Sequence, residues 1–390
     1  MKILHTVESY LPSIGGMQEV VRQLSERLVA MGHEVTVATS ANPDRKFDSL
    51  NGVQIREFKI SGNFTLGIKG DTENYQNFLL NSDFDIMTNF AAQQWATDIA
   101  LPMLGKIKAK KVSVPTGFSG FYKKEYALYF ENMKSWMKNY NANVFLSNDY
   151  RDINFARENG IKNLLVIPNG AAKDEFMAPQ KINIRKKLNI SKDEFLILHV
   201  GSYTGIKGHA EALKIYLKSK IKDGVLLFTG YNNKDFVAYM NRSRRYKVWK
   251  MFNFPPKRRV IVTHLNREET VEAYKEADLF LFPSNVECSP IVLFECMAAQ
   301  IPFLTTDVGN SKEIIDWSNG GKLLPTSIDS KGFSHAKIKA SSKILDYIYN
   351  HKEIREQLAA AGHKAWEEKF TWEIITVRFE ELYKKLLQEN

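Results

Sequence analysis

The chain has 390 residues, 44% hydrophobic and 25% charged, with 22 Gly and 12 Pro. That length suggests two domains with substantial cores, and the composition excludes an intrinsically disordered chain or a collagen-like repeat. The net charge of +10 is uneven: residues 1–170 carry 19 Lys and Arg against 17 Asp and Glu, and residues 171–390 carry 35 against 27, so the second half suits an anionic ligand such as nucleotide phosphates, nucleic acid or acidic lipid headgroups.

Residues 1–16 lack the apolar run and small-residue cleavage site of a signal peptide. No uncharged apolar stretch reaches the roughly 18 residues that a membrane-spanning helix needs. The two cysteines, Cys288 and Cys296, cannot build a disulfide framework or a four-ligand zinc site. A cytoplasmic protein is expected, free or peripheral on the inner face of the cytoplasmic membrane.

In chain order, residues 2–7 form an apolar run and 8–16 a loop. Residues 17–31 place Val20, Val21, Leu24 and Leu28 on one helix face, Gly32 stops the helix, and 34–40 (EVTVATS) is the next strand. Strands are predicted at 85–89, 111–115, 142–147 and 164–168, separated by helical stretches. The polar stretch 171–194 reads as a linker. A second series follows: strand 195–201, helix 209–219, strands 224–230 and 259–265, helix 266–277, strand 278–283, helix 290–299 and strand 301–306. The last segment is helical, with 373–387 amphipathic. This alternation predicts an α/β protein with two doubly wound parallel sheets in domains 1–170 and 195–370, and residues 371–390 as a closing helix. Ligands of such sheets bind beyond the carboxyl ends of the strands, so the chemistry belongs in the loops there.

Three such loops stand out. In PSNVECSPIVLFECMAAQIP (283–302), Ser289 is a candidate N-cap and Pro290 fits the first helical position, which makes an anion site of the helix start. Glu287 in the loop and Glu295 in the helix are separated by seven residues, and an acid inside the apolar run IVLFECMAA needs a partner. In VGSYTGIKGH (200–209), Lys207 just before a helix suits a diphosphate, with His209 beside it. In PSIGGM (12–17), Gly15 and Gly16 let the backbone approach a ligand closely at a helix start.

Together these segments resemble the retaining glycosyltransferases of family 4, the glycosyltransferase group 1 type, which have the GT-B fold. Further agreements are GHEV (32–35), IPNG (167–170), ADL (277–279), Ala298, VGN (308–310) followed by Glu313 and Ile314, and FTW (370–372) before the final helix. The resemblance implies two Rossmann-like domains facing a cleft, the first for the acceptor and the second for a nucleotide sugar, UDP- or GDP-linked. The final helix would cross back onto the first domain. It implies that Glu295 holds the ribose hydroxyls and Glu287 the donor sugar. Lys207 would neutralise the diphosphate, with backbone N–H groups of Gly16 and of Ser289–Ile291, and Gly309 and Asn310 would lie close to the donor. Neither a metal nor a cofactor is implied.

Two positions depart from the family pattern. Ser202 stands where the family commonly has an Arg, and the stretch VPTGF (114–118) lacks a His, leaving Thr116, Gly117 and Phe118 as the acceptor-side candidates. These departures keep open a non-catalytic nucleotide-sugar-binding protein, and a sugar-nucleotide epimerase on the same fold remains a further alternative. Asp83 and Asp85 match a D-x-D metal pattern but precede a strand, the wrong end for a site. Two basic, aromatic stretches suit an anionic membrane surface: from Asn241 to Arg259, with Tyr246, Trp249, Phe252 and Phe254, and from Phe121 to Tyr140. No nucleic-acid recognition module accompanies them.

Overall fold

The computed structural model describes residues 1–253 and 257–389; Phe254 lies outside them. The chain divides into two units, Met1–Asn169 with Trp372–Asn390, and Gly170–Thr371. Among the described residues, the strands of the first unit are β1 (Lys2–Thr6), β2 (Glu34–Ser40), β3 (Ser49–Leu50), β4 (Val53–Phe58), β5 (Ile60–Asn63), β6 (Gly67–Gly70), β7 (Ile86–Phe90), β8 (Lys110–Val114), β9 (Ala142–Phe145) and β10 (Leu164–Val166). The main sheet runs β10-β9-β8-β7-β1-β2-β4-β3, parallel except for β3 against β4, while β5 and β6 form a separate antiparallel hairpin.

Its central strands β1 and β7 are buried on both faces, and their polar side chains His5, Thr6, Thr88 and Asn89 are hydrogen-bonded there. The helix Gly16–Ala30 covers the sheet with Val20, Val21, Leu24 and Leu28. The closing helix Trp372–Gln388 also belongs to this unit. Its Tyr383 hydroxyl lies 2.7 Å from Thr88 Oγ1, and its Glu380 pairs with His33 at 2.9 Å.

The second unit contains β11 (Phe195–Val200), β12 (Gly224–Thr229), β13 (Arg258–Thr263), β14 (Leu279–Phe282), β15 (Phe303–Thr305), β16 (Gly321–Leu323), β17 (Thr326–Ile328) and β18 (Ser334–Ala336). Its parallel sheet has the order β13-β12-β11-β14-β15-β16. The chain runs outward from β11 in one direction and restarts on the other side at β14. The topological switch point, where ligands of such sheets bind, therefore lies between β11 and β14.

The segment 171–194 is no linker. Phe176, Ile184 and Ile190 are buried in the core of the second unit, and the Glu276 carboxylate accepts from the amides of Ile184 and Arg185 at 2.8 and 2.7 Å. Arg185 pairs with Asp278 at 2.9 Å. The polar residues of this segment form its outer surface and its ion pairs, while a few widely spaced apolar ones anchor it.

Candidate functional site

The loops after β11 and β14 meet at the switch point, and a glycine permits the meeting. Gly208 has φ +73°, and a Cβ there would stand 2.0 Å from the Pro283 carbonyl oxygen. The Asn285 amide donates to Ile206 O at 2.9 Å, tying the two loops together. Gly309 repeats the device one strand along: with φ +54°, its Cβ would lie 2.2 Å from Cys288 O. The Asn310 amide donates to that same oxygen at 2.8 Å. Gly309 and Asn310 thus brace the Glu287-bearing loop from behind.

This crossing brings Lys207 and Glu287 together, 80 residues apart in sequence. Lys207 Nζ lies 2.8 and 2.9 Å from the two Glu287 oxygens. The Ser284 hydroxyl donates to Glu287 Oε1 at 2.8 Å. The Glu287 side chain is 10% exposed and that of Lys207 32%, so the cation is the more accessible partner. An ion pair of this kind fixes two flexible side chains in the free protein and presents one positive and one negative group side by side.

Glu295 is buried, and the partner its apolar surroundings demand is Arg267, which pairs with it and also with Glu175. Arg267 opens the helix Arg267–Glu276, whose start is set by a capping box between Asn266 and Glu269. Sequence reasoning missed Arg267, although the acid in an apolar helix was the signal that some cation had to come to it.

The helix Ile291–Ala298 begins one residue later than expected. Pro290 is the N-cap and Ser289 precedes it. Pro290 has no amide hydrogen, so it cannot donate to a phosphate as the expected Ser289–Ile291 set requires. The donors at this helix start are the amides of Ile291 and Val292, which have no intrahelical acceptor.

His209, expected beside the diphosphate, is 3% exposed. It is buried among Phe228, Phe236 and His199, with ring centroids 5.7, 5.1 and 4.4 Å away. Burial lowers its pKa to about 4. Its Nε2–H donates to Gly201 O at 3.0 Å, so a neutral imidazole holds the loop that carries Ser202 and Lys207. His199 is likewise buried and donates from Nδ1 to Leu281 O at 2.8 Å. Ser202 is half-buried in that loop.

In the first unit, Gly15 is the N-cap of the helix Gly16–Ala30, and no side chain caps it. Beyond β8, three successive residues adopt left-handed backbone: Thr116 (φ +58°), Gly117 (φ +96°) and Phe118 (φ +49°). For β-branched Thr116 this is an outlier that the surroundings must enforce. The enforcing group is Asp152, whose buried carboxylate accepts from the Gly117 amide at 2.8 Å and whose pKa burial raises to about 6. Phe118 is 1% exposed and packs edge-on against Phe130 and Phe155. Of the three acceptor-side candidates, only Thr116 keeps a partly accessible side chain. Asp98, at the end of the short helix Trp95–Asp98 that follows β7, accepts from Tyr129 OH and the Phe64 amide at 2.9 Å each, and burial raises it to about 6 as well.

Asp83 and Asp85 are both engaged by Lys2, Asp83 by its ammonium and Asp85 by its amide at 2.7 Å. They fasten β7 to β1 at the end of the sheet away from the loops. From Phe121 to Tyr140, most of the aromatics turn inward: Tyr126, Tyr129 and Phe130, with Met133 and Met137, are core residues, while Tyr122 and Leu128 stay exposed at 76% and 65%.

Two doubly wound parallel sheets, with paired charges at the switch point of the second, define the GT-B architecture. The family model of the glycosyl transferases group 1 matches residues 180–364, and that of glycosyltransferase family 4 matches residues 14–175. The chain belongs to the group 1, family 4 glycosyltransferases. It is 24% identical over 403 residues to the uncharacterized glycosyltransferase MJ1607 of Methanocaldococcus jannaschii, covering 98% of each chain. It is 24% identical over 238 residues to the capsular polysaccharide biosynthesis glycosyltransferase CapM of Staphylococcus aureus, covering 61% of this chain and 58% of that one. The crystal structure of Anabaena HepE in complex with UDP-glucose superposes with a TM-score of 0.74 at 13% identity, covering 99% of this chain and 100% of HepE.

Proposed function

We propose that the protein is a retaining, metal-independent glycosyltransferase that moves a sugar from a UDP- or GDP-linked donor to a hydroxyl of a glycan or lipid-linked acceptor. The work is the assembly of a polysaccharide or glycoconjugate, in the cytoplasm or at the inner face of its membrane. The observation that carries this reading is the Lys207–Glu287 pair at the switch point of the second unit. The UDP-glucose held by HepE and the capsular role in the name of CapM support the donor class and the pathway class.

In this reading the diphosphate draws Lys207 away from Glu287 and takes the amides of Ile291 and Val292. The released Glu287 carboxylate then accepts hydrogen bonds from the donor sugar, held in place by Ser284. Glu295, positioned by Arg267, accepts from the ribose hydroxyls. The bond from the anomeric carbon to the diphosphate oxygen breaks and a bond to the acceptor oxygen forms on the same face. The acceptor proton passes to the leaving diphosphate, so no protein base is required. Lys207 and the helix start stabilise the charge that builds on the diphosphate, which is where a preorganised site lowers the barrier most. The first unit takes the acceptor through the loops after its strands, with Thr116 among them.

Ser202, in place of the family's usual Arg, favours a second reading: a non-catalytic nucleotide-sugar-binding protein. Thermal-shift screening with UDP-, GDP-, ADP- and dTDP-sugars, with magnesium and with EDTA, separates the two when followed by donor hydrolysis assays. A metal-independent shift for one nucleotide class, with turnover, supports the enzyme. A shift without hydrolysis or transfer to any offered acceptor supports the binding protein.

A further inference from the structure

The basic segment after β12 holds none of the residues assigned above to the donor. It folds as two short helices, Asn233–Arg242 and Arg244–Phe252, and Ser243 caps the second by accepting from the Tyr246 amide. Tyr246 and Trp249 stack at 5.8 Å and pack against the core of the second unit. The Arg258 guanidinium lies over Trp249 and Tyr216. This fixes the inner face of the Arg244–Phe252 helix. The 3.6-residue period then turns Arg244, Val248 and Met251 outward, with Lys247 on one flank and Arg245 and Phe252 on the other. The side-chain exposures agree: Val248 is 44%, Met251 67% and Phe252 76% exposed.

The surroundings of this apolar stripe are uniformly cationic. Four of the nine helix residues are Lys or Arg and none is acidic. The groove beside the helix is lined by Lys214, Lys218, Arg244, Arg245 and Lys339, with no acid among the described lining residues. Arg27, Arg45, Arg185, Arg259 and Arg267 of this chain each pair with a carboxylate. Among the described residues, none of the cations on this helix or in this groove does. A crowd of unneutralised like charges is costly without an anionic partner. Exposed Met and Phe side chains at its rim, framed by Arg and Lys, match an anionic lipid bilayer, whose headgroups take the cations and whose acyl boundary takes the apolar tips.

We infer that the Arg244–Phe252 helix and the cationic groove beside it dock the second unit on an anionic lipid bilayer, with Met251 and Phe252 in the interface. The purpose, access to a lipid-linked acceptor, rests on the proposed function; the binding itself does not. The test is co-sedimentation of the full chain with vesicles of phosphatidylcholine alone and of phosphatidylcholine mixed with phosphatidylglycerol. Binding is expected to the anionic vesicles only, and to be lost in high salt. Each cation near such a surface contributes about a fivefold factor, so Arg244→Glu with Arg245→Glu should weaken partitioning at least roughly 25-fold. Met251→Asp with Phe252→Asp should weaken it more than about tenfold. Lys123→Glu with Lys124→Glu, in the first unit, should leave it unchanged. Thermal unfolding and the nucleotide-sugar shift, measured on the same variants without vesicles, should not move, which separates a failure here from a failure of the donor site. Absence of binding to anionic vesicles overturns the inference, as does equal loss in the first-unit control. Binding that ignores Met251 and Phe252 but is competed by a soluble polyanion or a single-stranded oligonucleotide assigns the groove to that ligand instead, and also overturns it.

Discussion

The two units share a doubly wound design and differ in what they place beyond the ends of their strands. Beyond the strands of the second unit full charges stand in pairs, Lys207 with Glu287 between the two loops at the switch point and Arg267 with Glu295 between two helices. In the first unit the corresponding loops carry strained backbone, at Ala91, Gln93, Thr116 and Phe118, buttressed by the buried carboxyls of Asp98 and Asp152. One end is arranged to exchange one ionic partner for another. The other is arranged to hold a shape. Under the proposed function, the same fold serves a nucleotide-sugar donor in one unit and a hydroxyl acceptor in the other by changing the chemistry beyond its strands.

The largest expected effect breaks the charged side of this contrast. Glu287→Ala should lower transfer by about 10²–10³-fold while leaving the melting temperature nearly unchanged, read by initial rates beside thermal unfolding. Lys207→Ala should fall in the same range and weaken nucleotide binding as well. A Glu287→Ala protein with intact transfer would remove the site assignment.

Next comes the crossing on which that site depends. Gly208→Ala forces a Cβ into the Pro283 carbonyl and should cost about 3 kcal/mol of stability or more, together with the nucleotide-dependent thermal shift. Unfolding by denaturant gives the first quantity directly.

The strained side is tested by pH. The Asp98 and Asp152 carboxyls have folded pKa values of about 6, above the unfolded value of about 3.9. Between roughly pH 4 and 6 the folded state therefore binds more protons than the unfolded one, and stability rises as pH falls through that window. The contribution is about 3 kcal/mol per carboxyl, from about 1.4 kcal/mol per unit of pKa. Asp152→Asn keeps an acceptor for Gly117 and should flatten part of this dependence, measured by denaturant unfolding across the window.

The smallest effect belongs to the second unit. His335 Nε2–H donates to Asp329 at 3.0 Å, and Asp329 first, with help from Glu211, raises its pKa. Its contribution is complete below about pH 6.5 and is lost as pH rises through the raised folded value. His335 is largely solvated, so His335→Ala should cost only tenths of a kcal/mol, and only on the acid side. The acid responses of the two units should then separate, the first below pH 6 and the second above.

Much of this was legible because it is local. Alternating apolar runs and helix faces located β1, β2, β11, β12, β14 and the helix Gly16–Ala30 to within a residue or two, and the loops after β11 and β14 held Lys207 and Glu287. What escaped is tertiary. The pairing of Arg267 with Glu295 joins residues 28 apart whose contact depends on helix placement, and the need for Gly at 208 arises only where two loops cross. The segment 171–194 looked like a linker because its apolar anchors, Phe176, Ile184 and Ile190, are sparse among Lys, Asp and Gln. The hairpin of β5 and β6 is short and rich in Gly, with little pattern to detect. Within the stretch from Phe121 to Tyr140 the buried face was legible: Tyr126, Tyr129, Phe130, Met133 and Met137 recur at helical spacing, the pattern of a face that packs inward.

The central claim, that the Lys207–Glu287 site transfers a sugar with retention and without a metal, is tested most directly by anomer-resolved NMR. The donor nucleotide sugar identified by thermal shift would be incubated with the protein in EDTA and followed at early times, with acceptor and without. The account predicts that the first product, transferred or hydrolysed, carries the donor's own anomeric configuration, and that Glu287→Ala abolishes its appearance. A first product of inverted configuration, or turnover only when a divalent ion is restored, would contradict it.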